Sequence, residues 1–170
     1  MDLKQTIRDI PDFPKAGILF RDITTLLKDG PAFRYAIDQM ADACKDLEID
    51  LVAGPEARGF VIGSALAYRL GIGLVPIRKS GKLPAKTRKG SYALEYGKDT
   101  LEIHEDAIAP GQKVLLVDDL LATGGTIKAS LDLVEELGGT VAGVAFLIEL
   151  TFLDGREKLK DYNVISLIQY

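Results

Sequence analysis

The thirteen residues Val114 to Thr126, VLLVDDLLATGGT, restrict what this chain can fold into more than any other stretch. Four consecutive apolar residues, Val114 to Val117, fit a strand buried on both faces of a parallel sheet, which has no solvent face to alternate towards. Asp118 and Asp119 follow at once, then Ala122-Thr123-Gly124-Gly125-Thr126, then Ile127, Leu131, Val134 and Leu137 at helical spacing. Strand, acidic pair, Gly/Thr loop and helix start thus occur in one run. A helix N-terminus presents unpaired N–H groups and a positive dipole end, which suit phosphate. Gly124 and Gly125 let the backbone approach an anion, and Thr123 and Thr126 add hydroxyl donors. Two carboxylates facing a phosphate would repel it, so they suit sugar hydroxyls or a hydrated Mg²⁺.

The flanking sequence repeats the strand–loop–helix pattern. Leu51 to Gly54 predicts a short buried strand leading through Pro55-Glu56-Ala57-Arg58-Gly59-Phe60 into a helix to about Leu70. Arg58 stands where a positive charge meets a positive helix end, an arrangement that favours a bound anion. Pro31 to Leu47 predicts an amphipathic scaffold helix with Phe33, Ile37, Met40, Cys44 and Leu47 on one face. Strands are expected at Ile72 to Ile77, Val141 to Leu150 and Val164 to Ile168, with Thr151 to Lys160 a loop and short helix. Residues 3–9 predict a short helix, and Asp12 to Asp22 an irregular segment. Ser91 to Ile103 alternates about Gly97-Lys98-Asp99 and predicts an antiparallel hairpin. This βα alternation implies one α/β domain over 1–170, a parallel sheet flanked by helices with ligands at the carboxyl ends of its strands.

Composition narrows the function. The 170 residues are 47% apolar and carry a net charge of −4, which argues against a dedicated nucleic-acid binder. Between Arg78 and Lys89, six of twelve residues are basic and none is acidic. A solvated face, a nucleic-acid patch and a polyphosphate site are all compatible with such a run, but no aromatics interleave with the charges. The single cysteine, Cys44, allows no intrachain disulfide and reads as buried structure; the single histidine, His104, reads as surface. The polar N-terminus and the absence of a spanning apolar run predict a soluble cytoplasmic protein without a membrane partner. A Walker ATPase is excluded, since Gly124-Gly125-Thr126-Ile127-Lys128 lacks the P-loop spacing.

The central thirteen residues closely resemble the 5-phosphoribosyl-1-pyrophosphate (PRPP) motif of the type I phosphoribosyltransferases. With IRKSGKLP, SYALEYG and DFPKAGILFRD, the resemblance covers nearly the whole chain and points to the members that take adenine. It implies a flap hairpin over about 80–104 and a small N-terminal hood or base-binding region over about 1–28. The implied reaction is adenine plus PRPP giving AMP and pyrophosphate, with Mg²⁺ as cofactor and a homodimer as the assembly. The ribose phosphate would be held by Asp118, Asp119 and Ala122, Thr123, Gly124, Gly125 and Thr126. Pyrophosphate would fall to Arg58, Arg78 and Lys82. Adenine would lie against Phe20, its edge read by backbone groups near Leu19 and Arg21. Glu95 and Tyr96 match the flap's functional pair, with Glu95 the candidate for handling the purine proton. No direct protein ligand to the metal is implied, though Asp118 and Asp119 can act through water. In related enzymes the peptide at Glu56-Ala57 can be cis. The rival readings are a type I enzyme for xanthine or hypoxanthine, and a non-catalytic PRPP-binding regulator.

Overall fold

A computed structural model describes residues 1–93 and 98–170. Two antiparallel strands, β1 (Arg8–Pro11) and β2 (Leu19–Asp22), form a separate ribbon. Helices α1 (Thr24–Lys28) and α2 (Gly30–Ala43) follow, then β3 (Leu51–Pro55), α3 (Arg58–Leu70), β4 (Gly73–Lys79), β5 (Thr87–Ala93) and β6 (Lys98–His104). The chain continues through β7 (Lys113–Leu121), α4 (Gly125–Glu136) and β8 (Thr140–Glu149) to β9 (Val164–Gln169). Strands β3 to β9 make one seven-stranded sheet in the order β5-β6-β4-β3-β7-β8-β9. Its β4, β3, β7, β8 and β9 are parallel, and β6 and β5 extend it antiparallel at one edge.

The apolar run in β7 explains why the sheet is covered twice. Leu115 and Val117 pack with Ile37, Met40, Ile62 and Leu66 of α2 and α3. Val114 and Leu116 point the other way, into a cluster with Ile127, Leu131 and Val134 of α4. All four strand residues are fully buried. At roughly 1.5–3 kcal/mol per buried branched side chain, this strand anchors both layers. The sheet's C-terminal edge therefore sits at the starts of α3 and α4.

Several boundaries differ from the sequence expectation. Residues 3–9 are not one helix: a 3-10 turn covers Leu3–Thr6, and Arg8–Pro11 is strand. Asp12 to Asp22 is likewise not irregular throughout, because Leu19–Asp22 pairs with β1. Tertiary contacts override local preference here. Arg8 donates to Asp22 through Nε at 2.9 Å and Nη2 at 2.5 Å, Arg21 pairs with Asp9, and Arg21 stacks 3.7 Å from the Tyr170 ring centre. Helix α2 begins one residue before Pro31, capped by Asp29, and stops at Cys44 rather than Leu47. Cys44 is buried as expected, and burial pushes its thiol up to about 11. Lys98 and Asp99 are strand residues opposite Ala93 and Tyr92, not part of a turn.

Asp22 fastens the ribbon to the body. Bonds from the Thr24 N–H, the Arg8 guanidinium and the Thr24 hydroxyl pull its carboxyl down to about 2. A depressed folded pKa gives stability that is present above the ordinary carboxylate value and is lost as pH falls through the folded one. Allowing for screening by solvent, Asp22→Asn is expected to cost about 1 kcal/mol at neutral pH. Urea melts should show that gap between parent and variant closing as pH falls from about 5 to about 2. A gap independent of pH would mean the carboxylate charge does not fasten the ribbon.

Candidate functional site

The carboxyl ends of β3 and β7 enclose a cavity of about 300 Å³, lined by Glu56 to Arg58 on one side and Asp118 to Ile127 on the other. That volume lies at the small end of the range for small-molecule sites. Asp118 and Asp119 are not at the strand end: β7 runs on to Leu121, pairing there with Glu149 of β8. Strand alternation separates the two carboxylates. Asp119 is 5% exposed and its Oδ2 accepts from Arg58 Nε at 2.5 Å. The Asp118 Oδ1 accepts only the Asp119 N–H, at 2.8 Å, among the described residues. Burial, then the neighbouring Asp119 charge, pushes the Asp118 carboxyl well above the ordinary carboxylate range. The site therefore holds one neutralised carboxylate and one that gains from a hydroxyl donor or a cation.

Beyond the strand, Gly124 turns the chain at φ +83° and precedes α4. A Cβ there would meet the Gly155 carbonyl oxygen at 2.8 Å, so this position needs glycine for the fold itself. Gly125 differs, since among the described residues a Cβ would meet only the Tyr92 ring, at 3.7 Å. No side chain caps α4, and no acceptor among the described residues meets the N–H groups of Gly124, Gly125, Thr126 or Ile127. These donors open on the cavity with the helix dipole behind them.

The predicted pyrophosphate cations are placed differently from one another. Arg58 lies at the cavity, with its guanidinium 5.7 Å from the Phe20 ring centre. Its ion pair with Asp119 answers the unfavourable helix-end charge without a bound anion, so that sequence argument does not hold. Arg78 and Lys82 converge on Glu56, with Arg78 Nε at 3.3 Å and Lys82 Nζ at 2.7 Å. Burial alone would raise Glu56, but bonds from Lys82 and the Lys79 N–H, with the Lys82 and Arg78 charges, hold it below the usual range. The Glu56-Ala57 peptide is cis. The basic run is not simply a solvated face, because carboxylates from elsewhere meet it: Lys79 pairs with Asp99 and Lys89 with Glu102. His104 is only partly exposed, and its Nε2 accepts the Ala85 N–H at 3.3 Å.

In the ribbon, Leu19 is 45% exposed and Phe20 packs edge-on to Phe13 at 5.1 Å. Leu19 stands opposite Pro11, which has no N–H to give, so that pair is a non-hydrogen-bonded one. Alternation makes Arg21–Asp9 another such pair. The main-chain groups of Leu19 and Arg21 thus point away from β1, towards the edge of β2 that, among the described residues, pairs with no further strand. Glu95 and Tyr96 lie outside the described residues. The sequence marks Glu56 only as the residue before the small one preceding Arg58, and does not single out Gly155 or Lys158. Lys158 Nζ donates to the Thr123 carbonyl at 2.8 Å across 35 residues, a contact with no local signal.

A doubly covered parallel sheet brings an acidic pair and an uncapped helix start to one cavity, an arrangement suited to a phosphorylated ligand. The phosphoribosyl transferase domain matches residues 24–169, and the chain belongs to that family. Within it, the chain is similar to adenine phosphoribosyltransferases over its full length. That of Brevibacillus brevis is 61% identical over 170 residues and that of Symbiobacterium thermophilum 64%, in each case spanning 100% of both chains. The crystal structure of the adenine phosphoribosyltransferase of Thermoanaerobacter pseudethanolicus superposes with a TM-score of 0.97 at 61% identity, covering 99% of this chain and 98% of that one.

Proposed function

We propose that the chain transfers the 5-phosphoribosyl group of PRPP to adenine, giving AMP and pyrophosphate, as in purine salvage. The observation that carries this is the cavity where the open N–H groups of α4 and the Asp118–Asp119 pair face one space, in a chain over 60% identical to adenine phosphoribosyltransferases. In this reading Ala122 to Thr126 hold the 5-phosphate, and Asp118 and Asp119 the ribose hydroxyls. The ribbon and first helix, about residues 1–28, form the hood. The outward main-chain groups of Leu19 and Arg21 offer both a donor and an acceptor, which complement adenine's ring nitrogen and amino group. Residues 80–104 form the flap, and the working unit is a cytoplasmic homodimer.

Breaking the bond to pyrophosphate at the anomeric carbon leaves an oxocarbenium-like centre. The chain must therefore stabilise a departing polyanion and hold adenine in line with it. Arg58 keeps its terminal nitrogens available while Nε holds Asp119. Arg78 and Lys82 would exchange Glu56 for pyrophosphate oxygens. The oxygen donors of Asp118 and Asp119, one of them without a cation partner among the described residues, fit a hydrated Mg²⁺, which when bound would neutralise charge on the leaving group. Glu95 would orient or accept the purine proton, with Tyr96 beside it.

Turnover of PRPP with each purine in turn tests the proposal. Pyrophosphate release dependent on adenine, with little from hypoxanthine or xanthine, is the expected result. A preference for an oxopurine would move the base assignment, and binding of PRPP without turnover would make the chain a regulator.

The acidic pair gives a second expectation. Asp118 has a raised folded pKa, so its contribution to stability is present at low pH and is lost as pH rises through that value. Asp118→Asn removes the loss and should raise Tm at neutral pH by roughly 2–4 °C for each kcal/mol relieved. Asp119→Asn should lower Tm, because Arg58 loses its partner. Both should weaken PRPP binding about tenfold, the scale of one hydrogen bond to a charged group. Calorimetry and thermal melts on the two variants decide it. Unchanged PRPP affinity in both would remove the pair from sugar binding.

A further inference from the structure

The turn after β8 touches three successive residues of the proposed phosphate loop. Gly155 is buried, and a Cβ on it would lie 2.3 Å from the Ala122 carbonyl oxygen. The Gly155 carbonyl in turn crowds Gly124, and Lys158 Nζ holds the Thr123 carbonyl at 2.8 Å. This turn is itself fastened. Glu149, 3% exposed at the end of β8, receives Arg156 Nε at 2.6 Å and Nη2 at 2.8 Å, with Ser166 Oγ at 2.6 Å. A forked guanidinium–carboxylate pair, its carboxylate buried and its guanidinium half-exposed, fixes direction as well as distance. Arg156 also donates to the Val164 carbonyl at 3.2 Å, tying the turn to β9.

The consequence lies in the peptide between Thr123 and Gly124, which is trans. In a trans peptide the C=O and N–H point in opposite directions. Holding the Thr123 carbonyl towards Lys158 turns the Gly124 N–H away from the 155–159 turn. That N–H has no acceptor among the described residues, and Gly124 lines the cavity. If this peptide rotated, a carbonyl oxygen would face the anion where a donor should be. The cradle then loses one hydrogen bond and gains a repulsive dipole.

We infer that Lys158, on a turn clamped by Glu149 and Arg156, is a positioning residue that sets the phosphate-binding face of the 122–124 loop. The inference rests on the proposed function, in which this loop receives the 5-phosphate. Lys158 acts through the Thr123 carbonyl and not by touching substrate. The Lys158 side chain is exposed, so replacing it leaves the core intact.

The test compares Lys158→Met, Lys158→Arg and the parent chain by calorimetry with ribose 5-phosphate and with pyrophosphate, and by steady-state kinetics with PRPP. Lys158→Met should bind ribose 5-phosphate about tenfold more weakly, the equivalent of one hydrogen bond to a charged group. Pyrophosphate affinity should stay within about twofold, since RT-scale changes are all that remain when no contact is lost. The KM for PRPP should rise by more than kcat falls, the pattern of an interaction made equally in ground and transition states. Lys158→Arg keeps a donor and should recover most of the loss. The ratio of parent to variant affinity should be the same at about 50 mM and about 500 mM salt, whereas direct attraction between Lys158 and the phosphate would be screened. Equal ribose 5-phosphate binding by parent and Lys158→Met overturns the inference alone, and so does a ratio that collapses in high salt. If the parent bound neither PRPP nor ribose 5-phosphate, the proposed function would fail and the inference with it.

Discussion

Gly125→Val is expected to fold as the parent does and to lose PRPP binding by about 100-fold or more, the scale of two charge-assisted hydrogen bonds. The protein tolerates a side chain here. Among the described residues a Cβ meets nothing closer than the Tyr92 ring at 3.7 Å, and valine is acceptable in the first turn of a helix. The ligand does not tolerate it, because a branched side chain fills the space from which a phosphate reaches the N–H groups of Gly124 to Thr126. Gly124→Val would be uninformative by contrast. Its φ of +83° and the Gly155 carbonyl at 2.8 Å would disturb the loop whether or not phosphate binds there. Calorimetry on folded Gly125→Val, with a melting curve beside it, separates the two effects. Retained affinity would place the phosphate away from the α4 terminus.

Glu95→Gln is expected to lower kcat for AMP synthesis by about 100- to 10,000-fold, the usual range for general acid–base help, with PRPP affinity within a few-fold of the parent. Adenine's attacking nitrogen, N9, carries a proton in its common tautomer. As the new bond forms, one proton must leave the ring, from N9 directly or from N7 when the base attacks as its N7–H tautomer. The substitution keeps the size of the side chain and removes its basicity. The two carboxylates on β6 are already committed. Asp99 accepts from Tyr92 and pairs with Lys79; Glu102 is 3% exposed and accepts from Ser80 and Lys89. Tyr92, three residues before Glu95, lies against Gly125 at the cavity rim, so this hairpin strand reaches the site. Single-turnover kinetics reads the chemical step alone. Turnover at the parent rate would leave leaving-group stabilisation and positioning as the sources of catalysis.

What the sequence made legible was what short-range pattern encodes. The apolar run of β7, the glycine pair before α4 and the periodicity of α2 and α4 each appear within about fifteen residues. They were enough to place a parallel sheet, its covering helices and the cavity at its edge. What escaped was set by contacts between distant segments. The β1–β2 ribbon has little local strand signal and is held by Arg8–Asp22 and Arg21–Asp9. The basic run looked uncompensated because Glu56, Asp99 and Glu102 are supplied from outside it. Asp118 and Asp119 were assigned to the strand end, since nothing in the pair itself reports that β8 continues alongside as far as Glu149. Which glycine the loop needs for its own conformation, Gly124 rather than Gly125, depends on Gly155, thirty-one residues beyond Gly124. Both glycines look alike from the motif, and only the fold gives them different duties.

The most direct test is a crystal structure of the chain with AMP bound, because AMP carries the base, the sugar and the phosphate in one covalent molecule of limited span. The account predicts the phosphate at hydrogen-bond distance, roughly 2.7–3.2 Å, from the main-chain nitrogens of Gly124 to Thr126, and the ribose hydroxyls on Asp118 and Asp119. It predicts the adenine beside Phe20, bonded to main-chain groups of Leu19 and Arg21 along the open edge of β2. A phosphate seated instead on Arg78 and Lys82, with the start of α4 empty, would contradict it.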